Sequence, residues 1–148
     1  MMKSEERLTR IDKIMNKQEI LNESYKRLHQ QGQSCNDDAG NCYYYKEDSA
    51  GNRLGCAIGI LLTTEEAKHW HEVGSKYMTV NSLHSELNDA LIPDWVKGKD
   101  NAIFLNRLQA AHDTLPRIEN NIRYWRDELY LSFAKVAHKH DLTLDKIK

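Results

Sequence analysis

The chain has 148 residues, of which 40% are hydrophobic and 29% charged, and its formal net charge is −1 at pH 7. This length predicts one compact domain of ordinary globular composition. A net charge so close to zero disfavours generic nucleic-acid binding. No run approaches the roughly 20 apolar residues that span a bilayer, and the start "MMKSEERLTR" lacks the apolar stretch of a signal peptide. We therefore expect a cytoplasmic protein that does not bind membranes.

The first third of the chain predicts helix. Apolar residues recur at three- and four-residue steps up to Leu28, which is the helical period. Asn16 and Glu19 have the spacing of a capping box, so a firm helix is expected over residues 17–31, ended by Gly32. Residues 1–16 are predicted to be an N-terminal helical extension, and residues 33–41 a loop. Residues 17–148 are expected to form a single globular α+β domain.

Residues 42–60 predict a small antiparallel β-hairpin. Three tyrosines precede the turn sequence "EDSAGN", and residues of high strand propensity follow it. With the turn centred on Ser49, Tyr44 lies opposite Leu54 and Tyr45 opposite Arg53. One predicted face carries Cys42, Tyr44, Leu54, Cys56 and Ile58, and the other carries Tyr43, Tyr45, Gly55, Ala57 and Gly59. Small residues on the second face indicate close approach by another backbone, by a helix or by a ligand.

The rest of the chain predicts further helices. Thr63 and Glu66 form a second capping box, which predicts a helix over residues 64–73 that Gly74 ends. An apolar stripe before Pro93 predicts another, with Val80, Leu83, Leu87 and Leu91 on one side. A third is expected to be capped by Asp100, with inward residues Ile103, Phe104, Leu108, Ala111 and Leu115. The last carries Ile118, Ile122, Trp125, Leu129, Phe133 and Val136 inward. The predicted class is α+β and mostly helical.

The three cysteines do not have the spacing of a metal site. Six residues separate Cys35 from Cys42, and thirteen separate Cys42 from Cys56, whereas structural zinc sites usually carry close ligand pairs. We expect no metal and no cofactor. A disulfide between Cys42 and Cys56 is geometrically sensible across a hairpin, but a cytoplasmic location favours reduced thiols.

An enzyme that uses Cys56 and His112 is one hypothesis. Cys56 follows a glycine, and His112 with Asp113 supplies the residue types of a thiol–imidazole pair and an orienting acid. Helical phase argues against it, since His112 follows two predicted core positions. Adjacent helix residues also diverge by about 100°, so Asp113 is not expected to orient its neighbour. The motifs of the common ATPases, dehydrogenases, metalloproteases and serine hydrolases are absent from the sequence.

Binding of a nucleotide-like ligand is the favoured hypothesis. Aromatic rings beside arginines suit a stacked base and a phosphate held by two hydrogen bonds. The expected ligand-binding residues lie on the hairpin and the last two helices: Tyr43, Tyr45, Arg53, Cys56, Arg107, His112, Asp113 and Arg126. A third hypothesis is a structural or regulatory homodimer.

The order of several segments resembles a family of small bacteriophage and prophage proteins that have no established activity. The shared pattern is a C-x-Y or C-Y strand, then G-x-x-CA-[IV]-G-x-L, then LQ-x-x-HD, over about residues 17–142. The matching positions are Cys42, Tyr44, Gly51 or Gly55, Cys56, Ala57, Gly59, Gln109, His112 and Asp113. The turn "KEDSAGN" and residues 1–16 depart from the family pattern. The resemblance implies a phage accessory protein in the bacterial cytoplasm, with a counter-defence role against a nucleotide signal or a host defence protein.

Overall fold

The computed structural model describes residues 16–35, 43–73, 92–96, 99–115 and 121–148. These form four α-helices, a two-stranded antiparallel sheet and two 3-10 helices, so the predicted mostly helical α+β class is confirmed. In chain order the elements are α1 (Lys17–Gln31), β1 (Lys46–Glu47), β2 (Arg53–Leu54), a 3-10 helix (Gly59–Leu61), α2 (Thr64–Val73), a second 3-10 helix (Asp94–Val96), α3 (Lys99–Asp113) and α4 (Ile122–Lys139). The predicted extension, apart from Asn16, and the predicted helix from Val80 to Leu91 lie outside the described residues.

Both predicted capping boxes are confirmed. At α1 the Asn16 side chain accepts from the Glu19 N–H at 2.8 Å, and the Glu19 carboxylate accepts from the Asn16 N–H at 3.1 Å. Gly32 ends the helix in the left-handed conformation (φ +76°) and donates to the Leu28 carbonyl. Thr63 and Glu66 make the same reciprocal pair at α2. Local sequence therefore fixes where these helices begin.

The core lies between α1, α3 and α4, closed on one side by the first 3-10 helix. Contacts run from Arg107 to His140 and from Ala111 back to Ser132, which makes α3 and α4 antiparallel. All three tryptophans are buried, together with the predicted inward residues Phe104, Leu108, Leu129 and Phe133. Burial of this apolar area is the main stabilising contribution to the fold.

Three predictions about α3 and α4 are wrong in detail. Ile103 and Ile122 were expected inward but are 52% and 53% exposed. Phe104 and Leu105 both face the core, which turns Ile103 towards solvent, and Ile122 is the first residue of its helix. Because α3 starts at Lys99, Asp100 lies inside the helix and is not its cap.

The hairpin is shorter than predicted, and its register differs. Lys46 pairs with Leu54 and Glu47 with Arg53, so the turn centres on Ala50. The Asp48 carboxylate fixes this turn by accepting from the backbone N–H groups of Ala50 and Asn52. Aspartate commonly organises a turn in this way, and this choice of centre sets the register.

The returning chain does not continue as a strand through Ile58 and Ile60. It bends into the 3-10 helix instead, because Gly59 packs directly on the backbone of Tyr44. A Cβ on Gly59 would collide with the Tyr44 carbonyl oxygen, and a Cβ on Gly55 would lie 2.7 Å from the Ile60 nitrogen. The sequence predicted that another backbone, a helix or a ligand would lie close to these glycines. The structure shows that it is another stretch of backbone.

Candidate functional site

The last residues of the chain form one wall of a groove. After α4 the backbone turns through Asp141 in the left-handed region (φ +56°), and residues 142–148, which have no regular secondary structure, run back along α1. We call residues 142–148 the tail. Its half-buried Leu142, Leu144 and Ile147 pack against the core.

Two side chains of α1 hold the backbone of the tail. The Gln18 amide donates to the Thr143 carbonyl at 2.7 Å and accepts from the Thr143 N–H at 3.0 Å. Two turns later, the Tyr25 hydroxyl accepts from the Ile147 N–H at 3.0 Å. These contacts satisfy three backbone groups of a tail that pairs with no strand among the described residues.

The space between α1 and the tail is a groove of about 560 Å³, which lies within the usual size range of small-molecule sites. We call it the α1–tail groove. Its α1 side presents three side-chain amides, two rings and one cation: Gln18, Asn22, Tyr25, Lys26, His29 and Gln30. The tail side is formed by Thr143, Leu144, Asp145 and Ile147. The groove therefore offers many hydrogen-bonding groups around one positive and one negative charge.

The two rings of the groove are in their neutral forms near pH 7. Tyr25 and His29 meet edge to face, with centroids 6.0 Å apart. Burial, followed by the nearby charge of Arg126, lowers the pKa of His29, and burial raises the pKa of Tyr25. A neutral imidazole can both donate and accept a hydrogen bond, so this wall suits a planar, polar ligand.

The predicted hairpin residues contact neighbouring side chains and the backbone, although the buried Nε of Arg53 has no hydrogen-bond partner. The Tyr45 hydroxyl donates to Glu47, and Lys68 lies 5.1 Å from the centroid of the Tyr45 ring. The Tyr43 ring packs against His71 at 5.2 Å. One terminal nitrogen of Arg53 donates to the carbonyls of Gly59 and Leu62, at 2.6 and 2.7 Å. The Arg53 guanidinium therefore caps the first 3-10 helix.

His112 and Asp113 belong to a buried hydrogen-bond network. His112 is fully buried, and its Nε2 accepts from the Cys35 N–H at 3.1 Å. Its Nδ1 must then carry the proton, which it donates to Asp113 at 2.9 Å. The expectation that Asp113 could not orient its neighbour is wrong, because both side chains turn toward each other at the helix end.

Gln109 completes this network. Its amide nitrogen donates to Asp113 at 3.1 Å, and its oxygen accepts from the Ile58 N–H at 3.3 Å. The network thereby ties α3 to the loop at Cys35 and to the end of the hairpin. Burial of these polar groups is tolerated because each meets a partner.

Cys56 is disulfide-bonded and fully buried, and its partner lies outside the described residues. The expected reduced state is therefore wrong for Cys56 and confirmed for the free, buried Cys35. Burial raises the pKa of Cys35 to about 12. A disulfide sulfur is not a thiolate nucleophile, and the Nε2 of His112 already accepts a backbone hydrogen bond. The structure thus argues against the Cys56–His112 enzyme.

The two remaining predicted arginines lie at separate places. Arg126 donates to the backbone carbonyl of His29 at 2.8 Å, beside the α1–tail groove. Arg107 contacts the Nε2 of His140 at 3.0 Å and lines a second, smaller groove between α3 and α4. Arg53, Arg107 and Arg126, which were expected in one ligand site, therefore contact three different parts of the fold.

None of the eight predicted residues lines the α1–tail groove. The missed residues form one polar stripe of α1 at positions 18, 22, 25, 26, 29 and 30. Its richness in amides and rings, where an ordinary solvated face carries more charges, was the available signal. The tail that encloses the stripe comes from about 120 residues further along the chain, and no local pattern predicts it.

Comparison with protein-family models, with curated proteins and with solved structures gave no match. Of the helices in the described parts of the chain, none has the length and apolar content to cross a bilayer.

Proposed function

We propose that this protein binds a nucleoside or a mononucleotide in the α1–tail groove and that it acts by binding, without catalysis. The observation that carries the proposal is the groove itself, which combines a volume of about 560 Å³ with converging amides and the half-buried His29 ring, behind which the Tyr25 ring is only 2% exposed. Side-chain amides pair with base edges through two hydrogen bonds, and ring systems stack on bases. Lys26 lines the same groove and would meet one phosphate.

The ligand class follows from the charge of the groove. Lys26 and Asp145 are the two formally charged side chains of the lining, so a highly charged polyphosphate would meet little compensation. The Gln18 amide donates to the Thr143 carbonyl and to the Asn22 side chain, so Gln30 is the lining amide with no hydrogen bond to another described residue. We infer that Gln30 and His29 read the base and that Lys26 meets the phosphate.

The experiment is calorimetric titration of the full chain with adenosine, AMP, GMP, UMP and 3′,5′-cyclic AMP. At least one nucleotide should bind, and His29→Ala and Lys26→Met should each weaken it about tenfold, since each removes a contact with the ligand. Lys68→Met is the matched control, because Lys68 is exposed on α2, outside the groove. No binding across the panel, or equal losses in the control, would contradict the proposal.

Sequestration of a nucleotide signal during phage infection is the biological role that we propose for this binding. Two observations support this role: the presence of the α1–tail groove and the resemblance of the sequence to phage accessory proteins. The test is to express the chain in bacteria that carry a nucleotide-signalled defence and to count phage plaques. The wild-type chain should restore plaques and Lys26→Met should not. Equal plaque counts for both would show that any counter-defence effect does not depend on the groove.

A further inference from the structure

The groove between α3 and α4 carries a concentrated positive charge. Arg107, Lys135 and Lys139 surround it, and its lining contains no aspartate or glutamate. The whole chain has a formal net charge of −1, so these three cations form a local field that the composition does not reveal. We call this groove, of about 260 Å³, the α3–α4 groove.

The floor of the α3–α4 groove is apolar. Ala110, Ala111 and Val136 line it between the cations. The two hydroxyl groups in the lining donate inward, Thr114 to the Ala110 carbonyl and Ser132 to the Ala111 carbonyl. Their protons are therefore directed to α3, and recognition of an anion would fall to the three cations.

Exposed apolar side chains extend the same two helix faces. Ile103 is 52% exposed and lies one turn before Arg107 on α3. Leu131 is 53% exposed and lies one turn before Lys135 on α4. At 1.5 Å per residue the α3 side from Ile103 to Thr114 is about 16 Å long, which matches three turns of a partner helix. Large apolar groups with a charged rim are typical of a protein interface.

We propose that the α3–α4 groove is a docking surface for a short, acidic amphipathic helix of a partner protein. The apolar face of that helix would pack between Ile103 and Leu131, over Val136. Its carboxylates would meet Arg107, Lys135 and Lys139 at the rim. This is helix-in-groove recognition, in which apolar anchors give affinity and charge complementarity selects the partner. The surface is separate from the α1–tail groove and would act independently of nucleotide binding.

The test uses fluorescence anisotropy of the full chain with two labelled 16-residue amphipathic helical peptides. They share leucines at helical spacing and carry either glutamates or lysines beside them. The glutamate peptide should bind the wild-type chain, and binding should weaken as salt is raised from 50 to 300 mM. The triple variant Arg107→Glu, Lys135→Glu, Lys139→Glu should lose at least tenfold for this peptide and should gain affinity for the lysine peptide.

A matched triple variant, Lys46→Glu, Lys68→Glu, Lys148→Glu, has the same net charge but leaves the groove intact, so it should bind the glutamate peptide like the wild type. Leu131→Asp should weaken that peptide at least tenfold, and circular dichroism checks that each variant is folded. The proposal is overturned if the glutamate peptide does not bind, if both triple variants behave alike, or if 10 mM phosphate displaces the peptide at constant ionic strength. The last result would assign the cations to a small anion.

Discussion

Two histidines in this molecule lie close to side-chain amides, yet their surroundings differ in kind. Around His112 both ring nitrogens have protein partners, and the adjoining amide of Gln109 is bonded at both its atoms. Around His29 the ring stands at the edge of an open groove beside Lys26 and Gln30. Convergence of polar groups thus indicates a ligand site only where their hydrogen-bonding capacity is not already used by the fold.

The sharpest way to test this contrast is to remove each imidazole. His112→Ala should lower the free energy of unfolding by about 3 kcal/mol, since it leaves the buried Cys35 N–H unpaired and opens a cavity. His29→Ala should cost less than about 1.5 kcal/mol, because that side chain is half-buried. Urea unfolding measures both. Similar losses at the two positions would remove the distinction between a structural and an open histidine.

Two glutamines at opposite ends of α1 provide a matched pair. Gln31 bonds both the N–H and the carbonyl of Gly55, at 2.9 and 3.0 Å, as Gln18 does for Thr143. Gln31→Ala should cost about 1 to 2 kcal/mol of stability, because its contacts are partly buried.

Gln18→Ala should cost less than about 1 kcal/mol, because the Gln18–Thr143 contact is exposed. It should instead speed amide exchange at Thr143 and Ile147, which peptide-resolved hydrogen exchange can follow. If it slows exchange or leaves it unchanged, the tail does not depend on Gln18.

The pKa of His29 predicts how stability changes with pH. Because the pKa of His29 is lower in the folded chain, the unfolded chain binds more protons near pH 6. The contribution of neutral His29 to the free energy of unfolding is therefore fully present above about pH 6.5. It declines as the pH falls toward the pKa of His29 in the folded chain. His29→Gln should reduce the loss of melting temperature between pH 7 and pH 5. An unchanged pH slope would show that burial does not hold this ring neutral.

The smallest effect is expected at Cys35. Because its pKa is raised to about 12, almost no thiolate exists at pH 8. Iodoacetamide should leave Cys35 unmodified in the native chain and should label it in 6 M guanidinium, as peptide mass spectrometry can show. Rapid native labelling would mean that the loop at Cys35 opens easily and that the His112 network is weak.

The sequence by itself determined those features of the fold that depend on residues close together in the chain. Asn16 with Glu19 and Thr63 with Glu66 place two helix starts correctly, because a capping box needs only neighbouring residues. The apolar period places Leu129 and Phe133 in the core. The existence of the hairpin was likewise predictable from strand propensity and turn residues.

Tertiary structure alone decided the rest. The packing of Gly59 on Tyr44 bends the returning chain, and the tail meets Gln18 across 125 positions of sequence. Whether an arginine meets a ligand or a carbonyl depends on which backbone lies within reach, and for Arg53 and Arg126 that backbone belongs to other elements. The local sequence determines which chemical groups each side chain carries. Long-range packing determines which partners those groups meet and which groups remain open to a ligand.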